Sequence, residues 1–160
     1  MPRGGCPPVV ASRVRRLVKR QTSVGSIDAI TDKAQNLTIV TGTGPLTADE
    51  LIDWVQQYYA GEVTRFILWD LTKATLSAIS FEEVEAHAKS FNRLTGPRQG
   101  GRSAFVFDSD LEYGLGRMYQ ALSEIENVPI EFQTFRDIDE ARQWLGLDDA
   151  GTALAGADEA

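Results

Sequence analysis

The residues 113–120 read Tyr-Gly-Leu-Gly-Arg-Met-Tyr-Gln and follow an apolar run at 101–108. Two glycines one residue apart, followed by an arginine, are a pattern that can cradle a phosphate. A phosphate loop, however, places its glycines before a helix, where free backbone N–H groups point at the anion. Here Ser109-Asp110-Leu111-Glu112 has the form of a capping box, so a helix starts upstream and both glycines fall inside it. The third glycine of a dinucleotide loop is also missing. Two glycines in a helix interior cost about 2 kcal/mol against alanine. Two explanations stay open. Gly114, Met118 and Ala121 share a face that can approach a sheet closely, or a ligand rests on Gly116 beside Tyr113 and Arg117.

Other chemical handles are few. His87 is the only histidine and Cys6 the only cysteine. His87 lies between Val84 and Phe91 in a helical pattern, which suits a structural or boundary residue better than a general base. One histidine and one cysteine offer no metal-ligand spacing, and no Ser-His-Asp or Cys-His arrangement is recognisable. No catalytic residue is nominated, neither metal nor cofactor is expected, and the chain reads as a non-enzyme.

In parallel α/β sheets, sites lie beyond the carboxyl ends of the strands. The loops expected there are 41–47, 70–80 and 108–110. They bring Thr43, Asp70, Thr72, Lys73, Ser77, Ser80, Asp108 and Ser109 to one edge. The candidate ligand-binding set is therefore Thr43, Asp70, Thr72, Asp108, Ser109, Tyr113, Gly116 and Arg117. Thr72, Ser77 and Ser80 are candidate phosphate acceptors. The plainer reading is that Asp70 and Asp108 end strands while Ser80 and Ser109 cap helices.

Four helix starts carry these loops. Thr47-Ala48-Asp49-Glu50, Ser80-Phe81-Glu82-Glu83 and Ser109-Asp110-Leu111-Glu112 pair a hydroxyl with a glutamate three residues on, and Asp137-Ile138-Asp139-Glu140 is the aspartate version. Helical periodicity follows each. Strands are predicted over 26–31, 37–41, 64–68, 103–107 and 130–135, the first two as a hairpin. The order ββαβαβαβα predicts an α/β fold: a mostly parallel sheet of about five strands, the first pair antiparallel, with four helices and right-handed crossovers. In the two central strands Phe66 and Leu68 oppose Ile67 and Trp69, while Ala104 and Val106 oppose Phe105 and Phe107. A sheet apolar on both faces must be covered on both. Three crossover helices cover one. The last helix, a second copy of the chain or an apolar ligand must cover the other. Trp144 is expected to be buried and to anchor that last helix.

The chain has 160 residues, 42% of them hydrophobic and 24% charged, which suits one domain. Charge is uneven. Residues 1–20 carry +6 and the remainder −13, a balance that gives the domain no basic face for nucleic acid. Residues 1–25 read as a disordered basic arm or a mis-assigned start, with a membrane-surface patch as the alternative. Residues 26–147 are the domain, and 148–160 a disordered acidic tail. One cysteine suits the cytoplasm.

Residues 44–51 (Gly-Pro-Leu-Thr-Ala-Asp-Glu-Leu), the strand end Leu68-Trp69-Asp70-Leu71-Thr72, the 113–120 helix and the closing Phe135-Arg136-Asp137-Ile138-Asp139-Glu140-Ala141-Arg142-Gln143-Trp144-Leu145 resemble the bacterial SpoIIAA-like proteins, also described as STAS or CRAL-TRIO-like domains. The likeness runs from about Ile27 to Leu147. It implies a β–α superhelix, no known reaction, and an apolar or amphipathic ligand, a lipid or peripheral membrane contact. Related anti-anti-sigma factors are phosphorylated in a serine motif after the third strand. Asp70-Leu71-Thr72-Lys73 stands there in this chain, without the second serine or the glycine. Two functions remain: a regulatory module binding a small apolar molecule or lipid, and a protein-interaction switch phosphorylated within 72–80. A protein partner or homodimer fits either.

Overall fold

Alternation along the two central strands sets the layers. The computed structural model describes residues 25–147 and, before them, two short strands, Val14–Arg16 (β1) and Arg20–Gln21 (β2). Both pair antiparallel with β3, Ser26–Asp32. The rest of the basic arm and the tail 148–160 lie outside the described residues. β3 turns into β4, Leu37–Pro45, through residues 33–36. Asp32 shapes that turn by accepting from the Ala34 N–H at 3.0 Å, and Asn36 takes the left-handed conformation.

From β4 the pairing is parallel through β5 (Phe66–Thr75), β6 (Arg102–Val106) and β7 (Glu131–Phe135). Four helices alternate with these strands: α1 (Ala48–Ala60), α2 (Phe81–Phe91), α3 (Asp110–Ile125) and α4 (Ile138–Trp144). β3 to β7 form the expected five-strand α/β sheet with its first pair antiparallel, and the two short strands β1 and β2 extend it at the β3 edge.

β4 and β5 run further than periodicity suggested. Thr43 pairs with Lys73, Gly44 with Ala74 and Pro45 with Thr75, after a bulge that sets two steps of β4 against three of β5. Most of the two expected loops is therefore strand. At the bulge Asp70 Oδ1 accepts from the Thr72 N–H at 3.2 Å and from its hydroxyl at 2.8 Å. That bond turns the chain locally, and burial of Leu71, Ala74 and Leu76 carries the strand on.

The two faces hold separate cores. Ile67, Trp69, Phe105 and Phe107 join Trp54, Tyr58 and Phe91 under α1, α2 and α3. Leu68, Ala104 and Val106 join Ala141, Leu145 and Leu147. α4 is thus the cover for the second face. Its anchor is Leu145, 1% exposed, together with Ala141. Trp144 is only half-buried, which corrects the expectation for it. Positions 141 and 145 lie four apart on one helix face. Trp144 falls at its margin, 5.8 Å from the Phe135 ring, with the Arg102 guanidinium 5.0 Å from its own.

Candidate functional site

Between the first face and its helices lies a cavity of about 130 Å³. Trp54, Val55, Tyr58 and Tyr59 of α1 form one wall, and Val84, His87 and Phe91 of α2 the next. Leu115, Gly116 and Tyr119 of α3 form the third wall, over a floor of Ile67, Trp69, Phe105 and Phe132, and the cavity is partly open to the surface. Aromatic rings hold the wall in place. Trp54 stacks on Tyr58 at 5.3 Å, one helical turn away, and meets Trp69 edge-on at 5.1 Å. Phe105 stacks on Phe132 at 5.7 Å, and Tyr119 stands edge-on to Phe132 at 5.4 Å.

The polar end lies near the amino ends of β5 and β6. Tyr58 Oη accepts from the Thr64 N–H at 2.7 Å and bonds its hydroxyl at 2.9 Å. Thr64 in turn bonds the buried Thr38 hydroxyl at 2.8 Å. Arg98, at the end of a 3₁₀ turn over Gly96–Arg98, is 3% exposed and uses all five donors. Nε reaches the Thr64 carbonyl at 2.6 Å, and Nη2 reaches the carbonyls of Arg65 and Arg102 at 2.8 and 2.9 Å. Nη1 reaches the Tyr59 and Ser103 hydroxyls at 3.2 and 3.1 Å.

Burial works on the titratable groups that line the cavity. It pushes His87 down to about 4, so the imidazole is neutral near pH 7. It pushes the Tyr119 hydroxyl well above the usual phenol range. His87 stacks on Phe91 at 5.5 Å and lies 5.4 Å from the Tyr119 ring, so it is wedged between two helices.

The sequence-derived candidates do not converge here. Thr43 Oγ1 bonds Ser26 Oγ across the hairpin at 2.8 Å. Asp70 and Thr72 bond each other in the bulge. Asp108 is exposed, and its carbonyl accepts from Arg136 Nη2 at 3.2 Å. Tyr113 lies under the Arg136 guanidinium at 5.5 Å, and Arg117 is exposed. Only Gly116 borders the cavity. Its close approach is to Phe107 and Thr134, whereas Gly114 faces open space. The packing role therefore belongs to Gly116 and not to Gly114. Of the candidate phosphate acceptors, Thr72 is bonded to Asp70 and Ser80 caps α2 by accepting from the Glu83 N–H at 3.1 Å. Ser77 is exposed between β5 and α2.

Ser109 departs from its expected box. It caps α3, but the Glu112 carboxylate does not return to the cap's backbone. It bonds the Ser109 hydroxyl and reaches Leu76 N–H at 3.0 Å. Desolvation pushes this carboxyl up, but the hydrogen bonds from Ser109 and Leu76, with the N–H of Glu112 itself, outweigh it and hold it below its ordinary value. The end of β5 is thereby tied to the start of α3.

Sequence reasoning passed over Trp54, Tyr59 and Arg98, and named Trp69 only as a residue of one sheet face. The Trp54/Tyr58 pair at helical spacing was the available signal, and nothing local marks Arg98 as buried. Among the described residues no group of three or more His, Cys, Asp and Glu is placed to hold a metal, and no helix is long and apolar enough to cross a membrane. No family profile matches the chain, and no curated protein matches it in sequence.

Proposed function

We propose that residues 26–147 form a non-enzymatic module of SpoIIAA-like type that holds a small apolar or amphipathic ligand. The observation that carries this reading is the aromatic-walled cavity between the sheet and α1, α2 and α3. Apolar cavities of about 150 Å³ hold a single aromatic ring. The chemistry of the surrounding groups favours binding over catalysis. His87 is held neutral between rings, Asp70 is spent in a bulge and Glu112 in a tether. The reading places the module in the cytoplasm.

Native and denaturing mass spectra of the purified protein, followed by extraction with organic solvent, test it. A stoichiometric small apolar molecule is the expected result. A clean apo mass, with no uptake of a ring-sized apolar probe, overturns it.

A second reading, a phosphorylation-controlled switch, draws on one observation. Ser77 is exposed directly after Leu76, whose N–H holds Glu112. A phosphate adds about −1.5 to −2 charge, here beside a carboxylate that ties two elements together. Absence of label in residues 72–80 after incubation with the host's kinases removes this reading.

A further inference from the structure

The polar end of the cavity carries a charge that no carboxylate among the described residues cancels. Arg98 is buried, and its five hydrogen bonds all end on neutral oxygens: three carbonyls and the hydroxyls of Tyr59 and Ser103. No carboxylate pairs with it among the described residues. Arginine is almost never fully buried unless paired, because an uncompensated charge in a low-dielectric site is costly. Carbonyl dipoles ease that cost without neutralising the charge.

Tyr59 extends this charge to the cavity wall. Its hydroxyl oxygen accepts from Arg98 Nη1 at 3.2 Å, and its own proton meets no acceptor among the described residues. Burial pushes this phenol up while Arg98 pulls against it. At neutral pH it is therefore a protonated donor, polarised by the cation behind it. At the other end, by the carboxyl ends of the strands, the lining is Leu71, Leu76, Ile79 and Phe107. Glu83 also borders that end, its carboxylate accepting from the Ser80 N–H at 2.9 Å. A negative head group is repelled there and drawn toward Arg98.

We infer that the cavity takes a small organic monoanion: a carboxylic acid with an apolar body of about one aromatic ring, its carboxylate accepting from the Tyr59 hydroxyl and facing the charge of Arg98. This rests on the ligand-binding reading above and adds the charge and polarity of the ligand.

Trp54 and Trp69 line the cavity, so quenching of their fluorescence in the full chain reports occupancy. Benzoate and toluene are the probes, being alike in ring and different in charge. Benzoate is expected to bind at least about tenfold tighter than toluene, the worth of one charge-assisted hydrogen bond. Tyr59→Phe keeps the ring contact with Phe91 at 5.6 Å and is expected to bring the ratio of the two affinities toward one. In the wild type, benzoate but not toluene is expected to shift the Arg98 Nε–Hε resonance, a readout that needs no variant. Toluene binding as tightly as benzoate, or a benzoate affinity unchanged by Tyr59→Phe, overturns the monoanion and leaves the apolar-ligand reading standing. Binding of neither probe overturns both.

Discussion

A Cβ on Gly116 would stand 2.5 Å from Phe107 Cε2 and 2.9 Å from Thr134 Cγ2. α3 therefore rests on the sheet through a residue without a side chain. Two residues earlier a Cβ on Gly114 would meet nothing within 4 Å. The same substitution should have opposite effects at the two sites. Gly116→Ala is expected to destabilise the fold by about 1–3 kcal/mol through overpacking. Gly114→Ala is expected to stabilise it by about 0.5–1 kcal/mol through helix propensity. Urea denaturation of the two variants reads the contrast, and effects of the same sign contradict it.

The tether between Glu112 and Leu76 makes a separate prediction. Glu112→Ala leaves a buried N–H without its acceptor and should cost about 1–3 kcal/mol near neutral pH. The carboxyl is held below its usual value of 4.5 in the folded chain. Its contribution is therefore complete above that value and is lost as pH falls through the lower, folded-state value. The stability gap between wild type and variant should narrow over that acid range. A gap that stays constant with pH assigns the loss to packing instead of charge.

His87 titrates in a different window. Its pKa is pushed from 6.5 to about 4 in the fold, so the unfolded chain takes up the proton first. The stability linked to neutral His87 is complete above 6.5 and is lost as pH falls toward 4. His87→Gln should flatten the fall in stability across that window. Proton NMR of the single imidazole should show a midpoint near 4. A midpoint near 6.5 would place the ring in solvent.

α4 should be held by Leu145 more than by Trp144. Leu145 is 1% exposed, and Leu145→Ala is expected to cost about 2–5 kcal/mol. Trp144 loses a margin contact and the cation–π contact with Arg102, worth about 0.5–1 kcal/mol at an exposed site. Trp144→Ala should therefore be the milder change, measured by the same denaturation curves. The reverse order would mean that Trp144 is the more deeply packed of the two in solution.

The architecture was legible because its determinants are local. Thr47, Ser80 and Asp137 start helices by hydrogen bonds to backbone two or three residues away. The two-faced pattern of Phe66 to Trp69 follows from a strand's period of two. The strand ends were less legible. Asp70 has the look of a terminator, but its bond to Thr72 makes a bulge inside β5.

The candidate site divides in the same way. By itself the sequence determined an α/β sheet apolar on both faces, the helices that cover it and the absence of a phosphate loop, since each follows from spacing within a short stretch. Only the tertiary structure decided that α4 closes one face, that α1, α2 and α3 leave a cavity on the other, and that Arg98 and Tyr59 meet beside it. Those two residues lie thirty-nine positions apart. No periodicity reaches that far. Their contact exists because β5 and the turn before β6 bring the Thr64 and Arg65 carbonyls to one guanidinium, and only the folded chain supplies that geometry.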